Sequence, residues 1–339
     1  MPVSKTLWDM GLKTLICVTS LSLIGMVEAG ETASPKGPLR LAEINPLYTL
    51  TYTPRAEAAP TIGPGRWRLD LGTSYSNIFE RETSETHIQN LDFELMTQYL
   101  NVRRGLGTRF EVGTQLIWRS TSGGFLDHFI QEYHGLFGLP NDNRDEVPND
   151  AFSFLFGPRD QAPSYQTGKR RFAFGEPVIF AKYQAIHQRE RGFDLSFKTA
   201  VKLPWGASNQ GGDGTDVSLE GIFSKSFEKY HIHGMLAWAH IDPHADLQAQ
   251  MRQNGIFGSF ALERTFRVRH ALIAQLDLGS QLFRDTGLDN LDDAAINFSV
   301  GWAGSLSGGW AMQIGFMEDL TGNGPAVDFT LDVQVSKVF

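Results

Sequence analysis

The sequence has almost no cysteine, no run of basic residues and, beyond its N-terminus, no long hydrophobic stretch. One cysteine occurs in 339 residues, which excludes a disulfide scaffold. Lys and Arg number 30 against 38 Asp and Glu, and with a net charge of −8 we do not expect nucleic-acid binding. No later stretch approaches 18 apolar residues, so no transmembrane helix is predicted. The mean hydropathy of −0.22 by itself would suggest a soluble protein.

The N-terminus has the organisation of a secretory signal peptide. Two lysines precede an apolar stretch from Leu15 to Val27, and a small-residue cleavage site ends at Ala29. We predict that residues 1–29 are removed on export, the alternative being an N-terminal helix of the mature protein. Because Cys17 lies inside this signal, the mature chain would contain no thiolate nucleophile and no cysteine metal site.

Residues 30–65 contain six prolines and many small residues, a composition typical of irregular chain. We predict a mostly irregular, periplasmic N-terminal segment. Within it, residues 47–53 could form one short strand or a segment tucked inside the main domain, and the sequence leaves both alternatives open.

Apolar and polar residues alternate with a period of two from residue 66 onward, which is typical of strands with one apolar and one polar face. The clearest examples are residues 66–79, 108–120, 193–205 and 327–339. Weaker patterns predict further strands near residues 88–103, 172–189, 215–228, 230–241, 255–266, 269–283, 294–304 and 309–318. The total is about twelve strands, within a range of roughly 10 to 14.

The connections between these strands alternate between short and long. Tight connections occur around residues 104–107, 190–192, 228–229, 267 and 306–308, and long ones at 121–171, 204–214, 242–254 and 284–293. Such alternation is typical of a transmembrane barrel with tight periplasmic turns and long external loops. The tryptophans after the signal peptide lie near predicted strand ends, where aromatic girdles meet lipid headgroups.

The fold class predicted from these patterns is all-β: a transmembrane antiparallel β-barrel over residues 66–339, in the outer membrane of a Gram-negative bacterium. A secreted β-sandwich or soluble barrel is the alternative. The barrel accounts for the negative mean hydropathy, because half of its strand residues face a polar interior. The chain ends on Phe339, and a C-terminal aromatic residue on an amphipathic strand resembles an assembly signal for outer-membrane barrels. The expected partners are therefore outer-membrane lipid and the barrel assembly machinery.

Charged residues of both signs lie on the predicted inward face. The lumen-lining candidates are Arg66, Arg68, Asp70, Asp92, Glu94, Arg109, Glu111, Arg119, Lys198, Lys202, Glu220, Asp328 and Asp332. They would either form interlocked ion pairs that fill the lumen or line a hydrated pore that orients a polar solute. The sequence does not decide between these two alternatives.

One helical pattern occurs in the long external loop. Apolar residues recur there at helical spacing, and the loop-helix gate candidates are Leu126, Phe129, Ile130, Tyr133 and Phe137. Their apolar face could fold over the barrel mouth as a plug or gate, lie on the membrane surface, offer a docking patch, or serve only as a packing cap. Residues 138–160, which follow, are predicted to form a solvated loop.

Two short stretches resemble a known family. Phe137-Gly138-Leu139-Pro140, followed by Asn143-Arg144-Asp145, is similar to a loop motif of an uncharacterised bacterial family, domain of unknown function 3187. Asn45-Pro46-Leu47 through Pro54 resembles the asparagine–proline segment near that family's mature N-terminus, although Tyr52-Thr53-Pro54 stands where Gly-Leu-Pro is expected. The resemblance implies an outer-membrane protein without an assigned activity and implies no catalytic residue.

Hydrolase constellations are weak in this sequence. His231 and His233 have no serine nearby along the chain. The Asp-x-His-x-Asp pattern of residues 242–246 is the best enzyme candidate, but such triplets are common. The aspartates within residues 289–293 could bind Ca²⁺ or bridging cations, yet no ligand spacing predicts a structural metal or a cofactor.

The leading functional prediction is therefore a narrow or gated channel for passive passage of a small solute. A non-transporting structural or surface-binding barrel is the alternative, and an outer-membrane hydrolase is the third hypothesis. A channel is expected to need neither a cofactor nor catalytic residues.

Overall fold

The structure is a computed structural model, which describes residues 34–41, 45–137, 144–206, 213–319, 325, 327 and 329–339. The predicted signal peptide lies outside these residues, and so does the lumen candidate Asp328. None of the described helices is both long and apolar enough to cross a membrane.

The described residues form fifteen strands in one sheet. They are β1 (Trp67–Thr83), β2 (His87–Leu106), β3 (Phe110–Ser122), β4 (Ser153–Pro158), β5 (Tyr165–Gln166), β6 (Arg170–Phe174), β7 (Val178–Ile186), β8 (Asp194–Lys202), β9 (Asp216–Phe227), β10 (Tyr230–His240), β11 (Asn254–Phe266), β12 (His270–Gly279), β13 (Ala295–Ser305), β14 (Trp310–Asp319) and β15 (Phe329–Val338). All except β4, β5 and β6 belong to a closed antiparallel barrel of twelve strands, in which β3 pairs with β7 and β15 returns to β1. The predicted barrel and its strand number are confirmed.

Helical structure in the described part of the chain consists of short elements. The helices are α1 (Asp127–Phe137), α2 (Gln188–Arg191) and α3 (Asp289–Asp292). Single 3₁₀ turns occur at Tyr48–Leu50, Arg144–Glu146, Ala245–Leu247 and Ser307–Gly309. Of these described helices only α1 exceeds two turns, and it lies where the sequence shows its one helical pattern after the signal peptide.

The barrel wall has an apolar outer face and a largely polar inner face. Exposed apolar side chains on the outward parity include Trp67, Leu69, Leu71, Phe197, Leu219, Leu236, Phe260 and Leu331. The neighbouring residues on the other parity are buried inside and mostly polar, as with Ser74, Lys198 and Gln334. A continuous apolar outer face of this kind suits a bilayer rather than water.

The two ends of the barrel differ in their connections. At one end, which we call the short-turn end, the turns are residues 107–109, 187–193, 228–229, 267–269 and 306–309. The opposite end, the long-loop end, carries the longer connections and one tight hairpin between β1 and β2. These two strands have 17 and 20 residues, so their hairpin projects beyond the rest of the wall.

The long loop after β3 is partly a sheet extension, which corrects the predicted solvated loop over residues 153–158. Pairing between β2 and β3 ends at Glu94 and Ser122, which leaves the projecting part of β2 with an open edge. Strand β4 pairs with that edge, from His87 opposite Pro158 down to Asp92. The β4 pairing satisfies backbone groups that would otherwise form an exposed sheet edge.

Residues 34–41 and 45–65 lie inside the barrel, and we call them the plug. The sequence predicts a periplasmic segment here, and this location is corrected, since plug residues such as Leu47 and Ala59 are completely buried against the inner wall. The backbone is irregular apart from the Tyr48–Leu50 turn. Of the two alternatives for residues 47–53, the structure has the segment tucked inside the domain.

The plug enters and leaves through the short-turn end. Its first limb begins where the Lys36 ammonium donates to the Val268 carbonyl in a short turn, at 3.3 Å. It reverses direction at the long-loop end, where the Leu282 amide donates to the Tyr48 hydroxyl at 3.0 Å. Its second limb returns to the rim, where the Gly65 amide donates to the Gly105 carbonyl at 3.0 Å. The plug therefore runs up and down the lumen as a hairpin.

Apolar packing holds the plug residues on both sides of its reversal at Tyr48. Leu39, Leu47, Tyr48 and Leu50 belong to a buried cluster that also contains side chains of the wall and the outer loops. Glycines in the wall make room for it, because a Cβ on Gly301 would come within 2.6 Å of a Leu39 methyl group. This apolar core is the part of the lumen that the alternating strand pattern does not predict.

Candidate functional site: the barrel lumen and its plug

A buried carboxylate of the plug lies at the centre of the charged lumen. Glu57 is within ion-pair distance of Arg103 (2.8 Å), Lys198 (3.2 Å), Lys182 (3.7 Å) and Arg40 (3.7 Å). Burial alone would raise the pKa of Glu57, but Lys182, Lys198, Arg103 and Arg40 outweigh burial and hold the pKa well below its ordinary range. Glu57 is therefore ionised and links the plug to three strands.

Wall carboxylates complete this charge cluster. Arg103 also contacts Glu111 at 3.2 Å and Asp70 at 3.5 Å, while Lys198 contacts Glu220 at 3.1 Å. Its members are Arg40, Arg103, Lys182, Lys198, Glu57, Asp70, Glu111 and Glu220, four cations and four carboxylates. Mutual neutralisation offsets the large cost of removing these charges from water. Of the two alternatives for the lumen charges, interlocked ion pairs describe this level of the barrel.

Further hydrogen bonds attach the plug backbone to the wall. The Lys202 ammonium donates to the Leu50 carbonyl at 3.0 Å and pairs with Asp216 at 3.2 Å. The Tyr52 amide donates to the same Asp216 carboxylate at 2.6 Å. Nearer the short-turn end, the Ile62 amide donates to Glu111 at 3.0 Å. Wall side chains thus replace the strand partners that an irregular segment lacks.

A serine, a histidine and a glutamate on the inner wall form a hydrogen-bonded chain next to the plug. His233 Nδ1 lies 2.9 Å from Ser224 Oγ, and His233 Nε2 lies 3.3 Å from Glu263. The absence of a serine near His233 holds only along the sequence, because the register places Ser224 directly opposite His233 on β9 and β10. In an accessible cleft these groups would resemble a hydrolase constellation.

Backbone amides of the plug donate to the two end members of this hydrogen-bonded chain, Ser224 and Glu263. The Ala59 amide donates to Ser224 Oγ at 3.0 Å, and the Gly37 amide donates to Glu263 at 2.9 Å. All three wall side chains are less than 5% exposed. The arrangement connects the two limbs of the plug to the wall, which is a structural rather than a catalytic use of these groups.

The structure buries seven of the lumen candidates on the inner face: Asp70, Glu111, Arg119, Lys198, Lys202, Glu220 and Asp332. Arg119 donates to the Thr49 carbonyl of the plug at 3.1 Å, and Asp332 accepts from Ser74 at 2.6 Å. Three candidates lie instead at the short-turn rim. They are Arg66, which is exposed, Arg68, which pairs with Asp70 at 2.6 Å, and Arg109, which pairs with Glu190 at 2.9 Å.

Asp92 and Glu94 do not line the lumen, and their assignment is corrected. On β2 the inward parity belongs to residues such as Phe93, which pack in the apolar core. Glu94 faces away from the axis, where it accepts hydrogen bonds from the Phe125 amide at 2.8 Å and from the Tyr75 hydroxyl. On the projecting end of β2 the inner neighbours are apolar and the outer neighbours are polar loop groups, so the usual polarity of the two faces is reversed.

Helix α1 lies against the outside of the wall and does not cover the lumen. Phe129 packs on Phe329 of β15, with ring centroids 6.1 Å apart, and Phe125 packs on Tyr75 at 5.7 Å. Ile130 is fully buried in this contact, and Leu126 and Tyr133 are half-buried. The side chain of Phe137 lies outside the described part of the chain. The gate assignment is corrected to that of a surface cap, one of the alternatives that the sequence left open.

Deleting α1 should therefore leave permeation unchanged. We expect that replacing residues 127–137 by a short Gly-Ser linker alters neither the conductance nor the plug, because the described contacts of the helix are with the outward face of β1 and β15 and with the loop that follows the helix. Single-channel recording in planar bilayers measures this, with a heat-sensitive gel shift as the folding control. A larger conductance in the folded deletion variant would restore the gate hypothesis.

The charge cluster contains residues that sequence reasoning did not select. Glu57 and Arg40 belong to a segment without periodicity, so no pattern signals their inward direction. Arg103 could have been found, because it shares the parity of Tyr99 on β2 and register pairs it with Arg68 on β1. Apolar and polar residues alternate less regularly in β2 than in the clearest strands, so the inward direction of Arg103 was not evident from the sequence.

The arrangement of the described residues does not support the remaining enzyme and metal hypotheses. His244 Nδ1 accepts from the Asp246 amide at 3.2 Å, a local turn contact. Asp292 accepts the amides of Thr286 and Gly287 at 3.0 and 2.8 Å and so closes a loop. Among the described residues no group of His, Cys, Asp or Glu is arranged to hold a metal ion.

A closed twelve-strand antiparallel barrel with an apolar outer face and a polar lumen defines the class of outer-membrane β-barrel folds. The chain belongs to the family described as a protein of unknown function, DUF3187, which matches residues 14–339. The resemblance found in the loop and N-terminal motifs is thereby confirmed.

Solved structures share the fold at low sequence identity. The COG4313 outer membrane channel from Pseudomonas putida F1 is 14% identical, with a TM-score of 0.55, over 83% of this chain and 98% of that one. The NanC porin is 9% identical, with a TM-score of 0.45, over 79% and 98% of the two chains. The KdgM porin is 8% identical, with a TM-score of 0.43, over 80% and 99%. No curated protein sequence matches the chain.

Proposed function

We propose that this protein is a narrow outer-membrane channel for passive passage of a small solute, closed in the present structure by its plug. The observation that carries the proposal is a closed barrel whose lumen holds a segment that is not a strand of the wall. The plug is attached by side-chain contacts, such as Glu57 with Arg103 and Lys202 with Leu50. Such contacts can break without unpairing any barrel strand.

The proposed setting is the outer membrane of a Gram-negative bacterium, reached through a cleaved signal peptide. The short-turn end would then face the periplasm, as tight turns do in outer-membrane barrels. Phe339 is 63% exposed, and its amide pairs with the Trp67 carbonyl at 2.9 Å where the barrel closes. This position suits the proposed contact of Phe339 with the assembly machinery.

A non-transporting structural or surface-binding barrel is the second candidate. The filled lumen favours it, since the apolar core around Tyr48 and the charge cluster around Glu57 leave little open cross-section. The two candidates differ in one respect: a channel must conduct when the plug is free to move, and a structural barrel must not conduct in any state.

A reversible crosslink of the plug separates these candidates. The Ala59 amide donates to Ser224 Oγ at 3.0 Å, so the two residues are neighbours, and Ala59→Cys with Ser224→Cys is the pair to test, since the mature chain is predicted to have no other cysteine. We expect current steps from the reduced double variant in planar bilayers, their loss on oxidation and their return with reductant. The single Ala59→Cys variant is the control for oxidation.

Two other outcomes would each change the proposal. If the folded protein passes no ions in the reduced, oxidised or plug-deleted form, it is a structural or binding barrel. If the crosslinked form conducts as well as the reduced form, solute passes beside a fixed plug, and the closed-plug part of the proposal is wrong.

A further inference from the structure

The apolar side of helix α1 is only partly covered by the protein. Ile130 is completely buried, whereas Phe129 and Leu136, two turns apart along the helix, are exposed, Leu136 by 79%. Phe125, just before the helix, is exposed as well. Neighbouring exposed apolar side chains usually mark a contact with another molecule or with a membrane, so the uncovered side of α1 calls for an apolar occupant.

The exposed surface of α1 has a polar part next to this apolar part. The side chains of His128 and Glu132, one turn apart, are 73% and 72% exposed. The helical period of 3.6 residues places His128 about 100° around the helix from Phe129. Helices whose exposed surface is divided in this way lie in the interface between a membrane and water.

Asp127 fixes the helix at one level of the barrel wall. Its carboxylate accepts a hydrogen bond from the Asn77 side chain of β1 at 2.9 Å and pairs with Arg144 of the following loop at 2.8 Å. The start of α1 is therefore held beside Asn77.

That level coincides with the external boundary of the membrane. Strand β1 begins at the short-turn end with Trp67 and reaches Asn77 ten residues later. At about 3.3 Å per residue and a tilt of about 40°, this length of strand rises roughly 25 Å along the barrel axis. The apolar band of outer-membrane barrels is about 25 Å tall. With Trp67 at the periplasmic interface, Asn77 and the start of α1 lie at the external one.

Apolar contacts continue from the lipid-facing wall to the helix. Phe329 of β15 packs on Phe129 of α1, with ring centroids 6.1 Å apart, and on Phe316 of β14, at 5.1 Å. Leu331, two residues further along β15 on the same face, belongs to the exposed apolar outer face of the wall. The uncovered side of α1 is therefore continuous with the surface that the bilayer covers.

The helix also supplies aromatic side chains where the wall has no tryptophan. Trp118 of β3 and Trp238 of β10 lie eight residues from the short-turn ends of their strands, toward the long-loop end. Strands β1 and β14 have their one tryptophan at the short-turn end, and β15 has none. Because aromatic girdles occur at both membrane interfaces, Phe125 and Phe129 complete the external girdle in the sector of β14, β15 and β1.

We propose that α1 is an interfacial helix bound to the outer leaflet of the membrane, with Phe125, Phe129 and Leu136 among the lipid acyl chains and His128 in water. Lipid is the occupant, rather than a second copy or another protein, because the apolar side of α1 extends a surface that the bilayer already covers. The inference goes beyond the proposed channel: it depends on the barrel lying in a membrane and not on conduction.

Spin labels at neighbouring positions test this placement. The mature chain is predicted to have no cysteine, so Phe129→Cys, Leu136→Cys and His128→Cys each take one nitroxide label. The full mature proteins are refolded into liposomes of dilauroyl-phosphatidylcholine, a thin bilayer that suits outer-membrane barrels. Electron paramagnetic resonance then measures collisions of each label with O₂, which partitions into lipid, and with a water-soluble nickel chelate.

The matched controls are His128→Cys, next to Phe129 along the chain, and Leu71→Cys on the lipid-facing wall. We expect the O₂-to-nickel accessibility ratio at Phe129 and Leu136 to exceed that at His128 by about fivefold or more and to approach that at Leu71. A heat-sensitive gel shift shows that each labelled barrel is folded.

Three results would overturn the inference. Equal nickel accessibility at Leu136 and His128 would put the apolar side of α1 in water. Low accessibility of Leu136 to both reagents would show that a protein segment covers it. Dipolar broadening that disappears on dilution with unlabelled protein would identify a second copy as the occupant. Because no current is measured, none of these results bears on the proposed channel.

Discussion

Deletion of plug residues 34–62 should raise the single-channel conductance about tenfold or more, because a twelve-strand lumen emptied of this segment is wide enough for a water-filled pore. The wild-type lumen is obstructed at two levels, by the apolar core around Leu47 and Tyr48 and by the charge cluster around Glu57. Both levels lose their central members in the deletion. Planar-bilayer recording of wild type and variant at equal ionic strength measures the change.

The deletion needs a folding control and a milder counterpart. A heat-sensitive gel shift reports whether the barrel closes without the plug. Tyr48→Ala removes a fully buried ring and the hydroxyl that accepts from the Leu282 amide, while the rest of the plug stays attached. We expect more frequent openings of unchanged maximal size from this variant. A folded deletion variant with wild-type conductance would contradict the idea that the plug closes the lumen.

The barrel could be predicted because its wall repeats one rule. Strands such as β8 and β15 alternate strictly between lipid-facing and inward-facing residues, and this alternation is visible in the sequence alone. The rule fails on the projecting end of β2, where Asp92 and Glu94 contact a loop instead of water or solute. There the neighbours of each face are determined by the fold of a distant segment, β4 and α1, and not by the bilayer.

The plug could not be predicted because its interactions have no period. Glu57 meets Arg103, Lys182 and Lys198, which lie on three strands at very different distances along the chain. The sequence of an irregular segment with few charges is equally compatible with a periplasmic linker and with a segment that fills the lumen of a barrel. Only closure of the wall around it, which brings β2, β7 and β8 together, distinguishes these alternatives.

Substitution of Glu57 by glutamine should destabilise the protein by about 3–5 kcal/mol, since breaking a buried ion pair leaves an uncompensated charge. The charge cluster would then hold four cations against three carboxylates, with Arg103, Lys182 and Lys198 all losing their shared partner. Urea unfolding in detergent, followed by the gel shift, measures the loss of stability. We also expect longer openings in bilayer recordings, because the plug loses the carboxylate contacts of Glu57 with these strands.

Two variants test whether charge imbalance is the cause. Glu190→Gln removes a carboxylate from a rim pair with Arg109, whose side chains are 33% and 40% exposed, and solvent screening should leave its stability within error of the wild type. Glu57→Gln combined with Lys198→Gln restores equal numbers of buried charges. If imbalance is the cause, the double variant should be less destabilised than the sum of its single variants. Strict additivity would instead show that Glu57 acts by packing and hydrogen bonding, and that the plug does not depend on the electrostatic balance of the lumen.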